Sequence, residues 1–333
     1  MKISLVAPSS CVGKNELKMG LEVLKAQGFE VDVAKQVRTR HFLYAGSTEE
    51  RAQALIDAAY DPETEVVWAA RGGYGAGQLL PYLENASKSR GLPPRKLYIG
   101  YSDSTPLLEF VRTRWSWSSL HAVMPGHRGL LYASTRELRV LTSWIRKMPM
   151  PAVWTGQKLK WMGGLVPASS LSGELVGGNL ALVQTLLGTP WQMKTSGKLV
   201  FFEDLTESVS RIDRMITHLV NAGFFEGVKG VVLGDFLDCA DRSPMQLKYI
   251  KDIKKRSAIA SNPEKKDVER LRPDQALPKA LLEIFQPIYG ERKIPVAYGL
   301  PVGHGKQNAP LPLGAKYELS PEGHFALRDW TWL

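Results

Sequence analysis

The sequence predicts an α/β protein whose N-terminal part is a parallel sheet with helices on both faces. Strand-like and helix-like stretches alternate through the first third of the chain, the pattern that parallel sheets with crossover helices require. At 333 residues and 44% hydrophobic composition, the chain is long and apolar enough for a large core. Two glycine- and serine-rich loops follow predicted strands, and parallel sheets hold ligands beyond the carboxyl ends of their strands.

Each element is read in order. "KISLVAP" is the first strand, "NELKMGLEVLKAQGF" a helix ending near Gly28, and "EVDVA" the second strand. "TEERAQALIDAAY" has helical spacing, and "TEVVWAA" is a third strand. "GAGQLLPYL", "KLYIG" and "STPLLEFVRTRW" continue the alternation. The proline- and glycine-rich stretch "RKMPMPAVWTGQKLKWMGGLVPASS" interrupts it, so a boundary near Met150 divides residues 1–150 from residues 151–333. In the second part, "GELVGGNLALVQTLLGTPW" reads as a glycine-rich turn into a helix and "GKLVFFEDL" as a strand. "SVSRIDRMITHLVNAGFF" is an amphipathic helix and "VKGVVLGDF" a strand. "KIPVAYGLPVGHGKQNAPLPLG" is a strand followed by a loop, and "AKYELS" with "HFALRDW" forms a closing hairpin.

Composition excludes several classes. Two cysteines, Cys11 and Cys239, cannot build a disulfide framework, and no CxxC pair suggests zinc. No apolar run approaches a membrane span. The run before Cys11 is too short for an export signal, so Ile3 to Ala7 is read as core strand and a cytoplasmic location is expected. The formal charge is +10, with much of the excess in a basic insertion around residues 238–293. Acidic residues are interleaved there and no aromatic stacking pattern accompanies them, which favours a solvated face over a nucleic-acid site.

The chemistry concentrates in three places. Gly100-Tyr101-Ser102-Asp103-Ser104 resembles a nucleophile elbow with serine replacing the last glycine. Such a strand-to-helix turn projects the serine oxygen from the sheet and brings the following N–H to the same space. The alternative is that Ser102, Asp103 or Ser104 caps the helix. "ARGGYGAG" matches neither a Walker loop nor a dinucleotide fingerprint. Its paired glycines suit backbone donors to a developing oxyanion, or simply a tight turn. A nucleophilic serine needs a base with an orienting partner. His304, flanked by glycines in "PVGHGKQN", is the leading candidate of six histidines, and His127 in "MPGHRG" is its rival. Glu203 and Asp204, behind four apolar residues, are candidate orienters, since a carboxylate buried there needs a donor.

These stretches together resemble the LD-carboxypeptidase family of serine peptidases, which includes muramoyl-tetrapeptide carboxypeptidases and microcin C self-immunity proteins. The resemblance rests on "VAPSS", "ARGGYGAGQLLPYL", "IGYSDSTPLL", "GGNLALVQTLLGTP", "VFFEDLTESVSRIDRMITHL", "GVVLGDF" and "PVAYGLPVGHG…LPLG", and covers nearly the whole chain. It implies an N-terminal parallel-sheet domain joined to a C-terminal, mostly β, α+β domain, with the site between them and a homodimer common. It implies Ser102 as nucleophile, His304 as base and Glu203 as its orienter, with oxyanion donors from the backbone N–H groups of Asp103 and Gly73. It implies hydrolysis of the L,D-peptide bond before the terminal D-alanine of a murein-derived tetrapeptide, in peptidoglycan recycling, without metal or organic cofactor. An exopeptidase must also bind a free carboxylate, for which Arg71 is a candidate. Two alternatives stay open: an immunity-type hydrolase of a peptidyl-nucleotide antibiotic, and a non-catalytic murein or peptide binder on the same fold. Three features depart from the family pattern: Ser210 where an aromatic residue is common, "HAVMPGH" in place of an "HGP" stretch, and the length of the basic region.

Overall fold

A computed structural model describes residues 1–239 and 273–332. The N-terminal elements are β1 (Lys2–Val6), α1 (Lys14–Ala26), β2 (Val31–Val33), α2 (Thr48–Tyr60), β3 (Thr64–Ala69), α3 (Leu80–Arg90), β4 (Leu97–Gly100), α4 (Thr105–Arg114) and β5 (Ser118–His121). Then come α5 (Arg128–Tyr132), α6 (Thr135–Ile145), β6 (Lys160–Trp161), β7 (Leu171–Asn179), α7 (Leu180–Thr185), β8 (Leu199–Leu205), α8 (Val209–Asn221) and β9 (Gly230–Leu237). The chain closes with α9 (Pro273–Gln286), β10 (Val296–Tyr298), β11 (Leu311–Leu313), β12 (Lys316–Leu319) and β13 (Phe325–Asp329). No helix among the described residues is long and apolar enough to cross a membrane.

The first sheet has the order β11-β5-β4-β3-β1-β2. Strands β1 to β5 are mutually parallel. Buried on both faces, β3 from Val66 onward and β4 are apolar, as the interior strands of a helix-covered sheet must be. α1 turns Leu17, Gly20 and Leu24 inward at helical spacing, and α2 starts at a reciprocal Ser47–Glu50 capping box. The second sheet has the order β13-β12-β7-β8-β9-β10-β6 and is mixed. Its centre, β7 to β10, is parallel, with antiparallel β12, β13 and β6 outside it. The protein is thus α/β, a mostly parallel N-terminal sheet with helices followed by a mixed C-terminal sheet, as the alternation and the resemblance led one to expect.

Two stretches differ from their sequence reading. "GELVGG" is strand, not turn: β7 runs nine residues through both glycines, because pairing with β8 and β12 secures its backbone. "LPL", read as loop, is β11, which crosses to the first sheet and pairs antiparallel with β5. Pro312 is tolerated because β11 is an edge strand, where a missing N–H need not break a ladder. The basic insertion, including Lys254, Lys255 and Arg256, lies largely outside the described residues.

Candidate active site

The elbow forms where β4 meets α4. Ser102 sits in a short 3-10 turn with φ of +60°, a left-handed backbone that costs a non-glycine residue about 1 kcal/mol or more. Strain of this kind persists only where the surroundings over-determine it. Here two side chains hold the turn. The fully buried Thr105 hydroxyl donates to the Ser102 carbonyl at 2.8 Å. Asp103, itself buried, accepts the Ala76 N–H at 2.8 Å and so fastens the elbow to the glycine-rich loop after β3. Burial raises the Asp103 carboxyl, against the pull of that N–H and of the Arg51 charge. The loop lies close: a Cβ added to Gly72 would be 3.1 Å from the Ser102 Cβ.

The opposite wall comes from the second sheet. The ladder between β8 and β9 shifts register between Phe202 and Asp204, so Glu203 sits at a bulge, a device that re-aims a side chain. Glu203 is fully buried, and its Oε2 lies 2.6 Å from His304 Nδ1. Gly303 makes this approach possible. Its φ is +136°, and an added Cβ would be 3.1 Å from Glu203 Oε2. Asp235 accepts the Gly305 N–H at 3.2 Å, and Asn308 accepts the Gly303 N–H at 3.1 Å, so the histidine loop is held on both sides.

Burial works against a charged His304, but the Glu203 charge and hydrogen bond, helped by Asp204 and Asp235, raise its pKa above the ordinary value. Asp204 and Asp235 are themselves pushed up to about 6, chiefly by burial and further by the Glu203 charge. His121, fully buried and edge-on to Tyr101 and Phe201, is held down to about 4 by burial and stays neutral.

Ser102 and His304 line one cavity of about 300 Å³, together with Arg71, Gly72, Gly73 and His127. With Nδ1 engaged by Glu203, the remaining ring nitrogen of His304, Nε2, is the one available on the cavity side. His127, the rival histidine, enters the same cavity from the other wall. Its Nδ1 accepts the Gly129 N–H at 3.1 Å, so that nitrogen carries no proton and also accepts from the Tyr101 hydroxyl at 3.0 Å. Arg71 is the one arginine or lysine in the wall among the described residues, with its Nη1 donating to the Cys11 carbonyl at 3.1 Å. The remaining histidines lie elsewhere: His41 bridges to Tyr44 in the connection between β2 and α2, His218 on α8 pairs with Gln184 of α7, and His324 belongs to the β12–β13 turn. Residues 3–122 match the LD-carboxypeptidase N-terminal domain, and residues 172–262 and 241–319 match the LD-carboxypeptidase C-terminal domain.

This chain belongs to the LD-carboxypeptidase family. It is 31% identical to the probable murein peptide carboxypeptidase of Bacillus subtilis over 71% of this chain and 72% of that protein. It is 26% identical to the murein tetrapeptide carboxypeptidase of Pseudomonas aeruginosa, over 94% and 91% of the two chains. The solved muramoyltetrapeptide carboxypeptidase of Oxalobacter formigenes superposes with a TM-score of 0.73 at 26% identity, covering 99% of this chain and all of that one. Thr105, Asn179 and the Asp103 carboxylate are joints of the site that the sequence motifs do not mark as such. Asn179 donates its N–H to the Thr105 hydroxyl at 3.1 Å and its side chain to Asp204 at 3.0 Å. The only available signal was position: a threonine three residues after the elbow serine, and an asparagine closing "GGN".

Proposed function

We propose that this protein is a serine LD-carboxypeptidase that hydrolyses the L,D-peptide bond before the terminal D-alanine of murein-derived tetrapeptides. The observation that carries the reading is the 2.6 Å contact between Glu203 and His304 at the cavity that also holds the strained Ser102. Family membership supplies the reaction class.

In this reading His304 Nε2 takes the Ser102 proton as Oγ attacks the scissile carbonyl. Glu203 holds the ring by Nδ1–H and stabilises the imidazolium that forms. The backbone N–H groups of Asp103 and Gly73 receive the developing oxyanion beside the start of α4. His304 then protonates the leaving D-alanine amine, leaving an acyl-enzyme on Ser102. A water, deprotonated by His304, attacks that ester and releases the tripeptide. Arg71 provides a positive charge in the cavity for the free carboxylate of the substrate.

The test is incubation with a murein tetrapeptide and, separately, with a peptidyl-nucleotide, followed by mass spectrometry. Release of D-alanine from the tetrapeptide is expected. Cleavage of the peptidyl-nucleotide alone, or of neither compound, would overturn the assignment.

A further inference from the structure

A second recess adjoins the catalytic cavity. It has a volume of about 760 Å³ and lies at the carboxyl ends of β1, β2 and β3, where parallel sheets place ligands. Its wall carries five cationic side chains: Lys14 and Lys18 on α1, Arg38 and Arg40 after β2, and Arg71 after β3. No aspartate or glutamate lines it. Leu17 and Val37 give it a buried apolar floor. Glu16 folds its carboxylate over Gly13 at the start of α1, so one negative charge stands beside the five positive ones.

The five cations share a second property. None of them forms an ion pair among the described residues, although Lys2, Lys88, Arg112, Arg114, Lys147, Lys198, Arg211 and Arg328 all do. Like charges gathered round a concave wall repel one another and focus a positive potential into it. A multiply charged anion relieves that repulsion. Three of the five are arginines, whose planar donor forks match phosphate oxygens. Arg71 belongs to both cavities, fixed between them by its bond to the Cys11 carbonyl.

We propose that this recess binds a phosphate-class polyanion and that its occupancy weakens binding of the substrate carboxylate through the shared Arg71. The effect on substrate rests on the LD-carboxypeptidase reading; the anion site itself does not. Two anions on one guanidinium repel each other and divide its donors. The coupling is therefore negative, and by linkage it is reciprocal. No covalent step is involved.

Pyrophosphate is the probe. Isothermal calorimetry should show one site per chain on the wild-type protein. Lys18→Gln combined with Arg40→Gln should weaken that binding by about tenfold or more, since each removes a charge-assisted contact. Lys158→Gln with Lys160→Gln, the same charge change at an exposed site elsewhere, should alter it less than about twofold. Pyrophosphate should also raise KM for the tetrapeptide to a plateau while leaving kcat unchanged. Absence of one-site binding, equal weakening by both double variants, or equally tight binding of citrate would overturn the site. A saturable site without any rise in KM would overturn the coupling. Because calorimetry needs no turnover, a protein that fails to cleave tetrapeptide still tests the recess. Turnover without pyrophosphate binding refutes the recess alone.

Discussion

Asn179 donates its backbone N–H to the Thr105 hydroxyl at 3.1 Å, tying the end of β7 in the C-terminal sheet to the first residue of α4 in the N-terminal one. The same hydroxyl donates to the carbonyl of Ser102 at 2.8 Å. One buried oxygen therefore fixes the elbow and the wall that faces it.

Thr105→Val keeps the shape and removes both bonds. It leaves the buried Asn179 N–H without that partner, while the Ser102 carbonyl keeps only the backbone N–H of residue 105. A loss of about 1–3 kcal/mol in unfolding free energy is expected, together with a fall in kcat. Urea titration and steady-state kinetics read the two effects. Wild-type stability in this variant would show that the joint carries no weight.

Ser102→Ala should lose turnover by several orders of magnitude while the fold persists, since the removed oxygen opens no core cavity. Ser102→Gly should be equally inactive but at least as stable as Ser102→Ala, because glycine adopts φ of +60° without strain. Thermal melts of the two variants compare them directly. A glycine variant clearly less stable than the alanine one would mean that the left-handed turn is not strained.

Glu203→Gln removes the charge that raises His304. Turnover should fall on the order of 10³-fold, more than substrate affinity does. A base with a lower pKa stays neutral to lower pH, so the acid limb of kcat/KM should move down in pH. An unmoved limb would detach Glu203 from the base.

Stability should fall as pH rises from about 4 through about 6. Asp204 and Asp235, at about 6 in the folded state, bind protons there that their unfolded counterparts have already lost above 3.8. His304, raised above 6.5, adds stability below that value that is lost as pH passes its folded pKa. Asp61, held down to about 2 by Lys2 above all, contributes no slope between pH 5 and 7.5. His121, held down to about 4, opposes Asp204 and Asp235 as its unfolded counterpart loses its proton up to about 6.5, but the two carboxyls together outweigh it, so the melting temperature should be higher at pH 5 than at pH 7.5. Asp235→Asn, which can still accept the Gly305 N–H, should shrink that difference. An identical difference in the variant would remove Asp235 from the account.

What the sequence by itself determined was local. Alternating strand and helix periods specified the parallel N-terminal sheet, because a strand covered by helices on both faces must be apolar through its buried centre, as in Val66–Ala69 of β3 and in β4. The strand-to-helix junction at Ser102 and the glycines around His304 were visible as short patterns of backbone permission. Ordered motifs along the chain marked the family. What only the tertiary structure decided was long-range. β11 joins the first sheet across 190 residues from β5 because an unpaired edge accepts a short, proline-containing strand that no local period announces. Glu203 meets His304 because a bulge in β8 turns a buried carboxylate towards a loop 101 residues away. Thr105, Asn179 and the Asp103 carboxylate acquire their place from partners that sequence spacing does not encode. Buried polar groups must find partners in space, and those partners exist only once the two sheets have met.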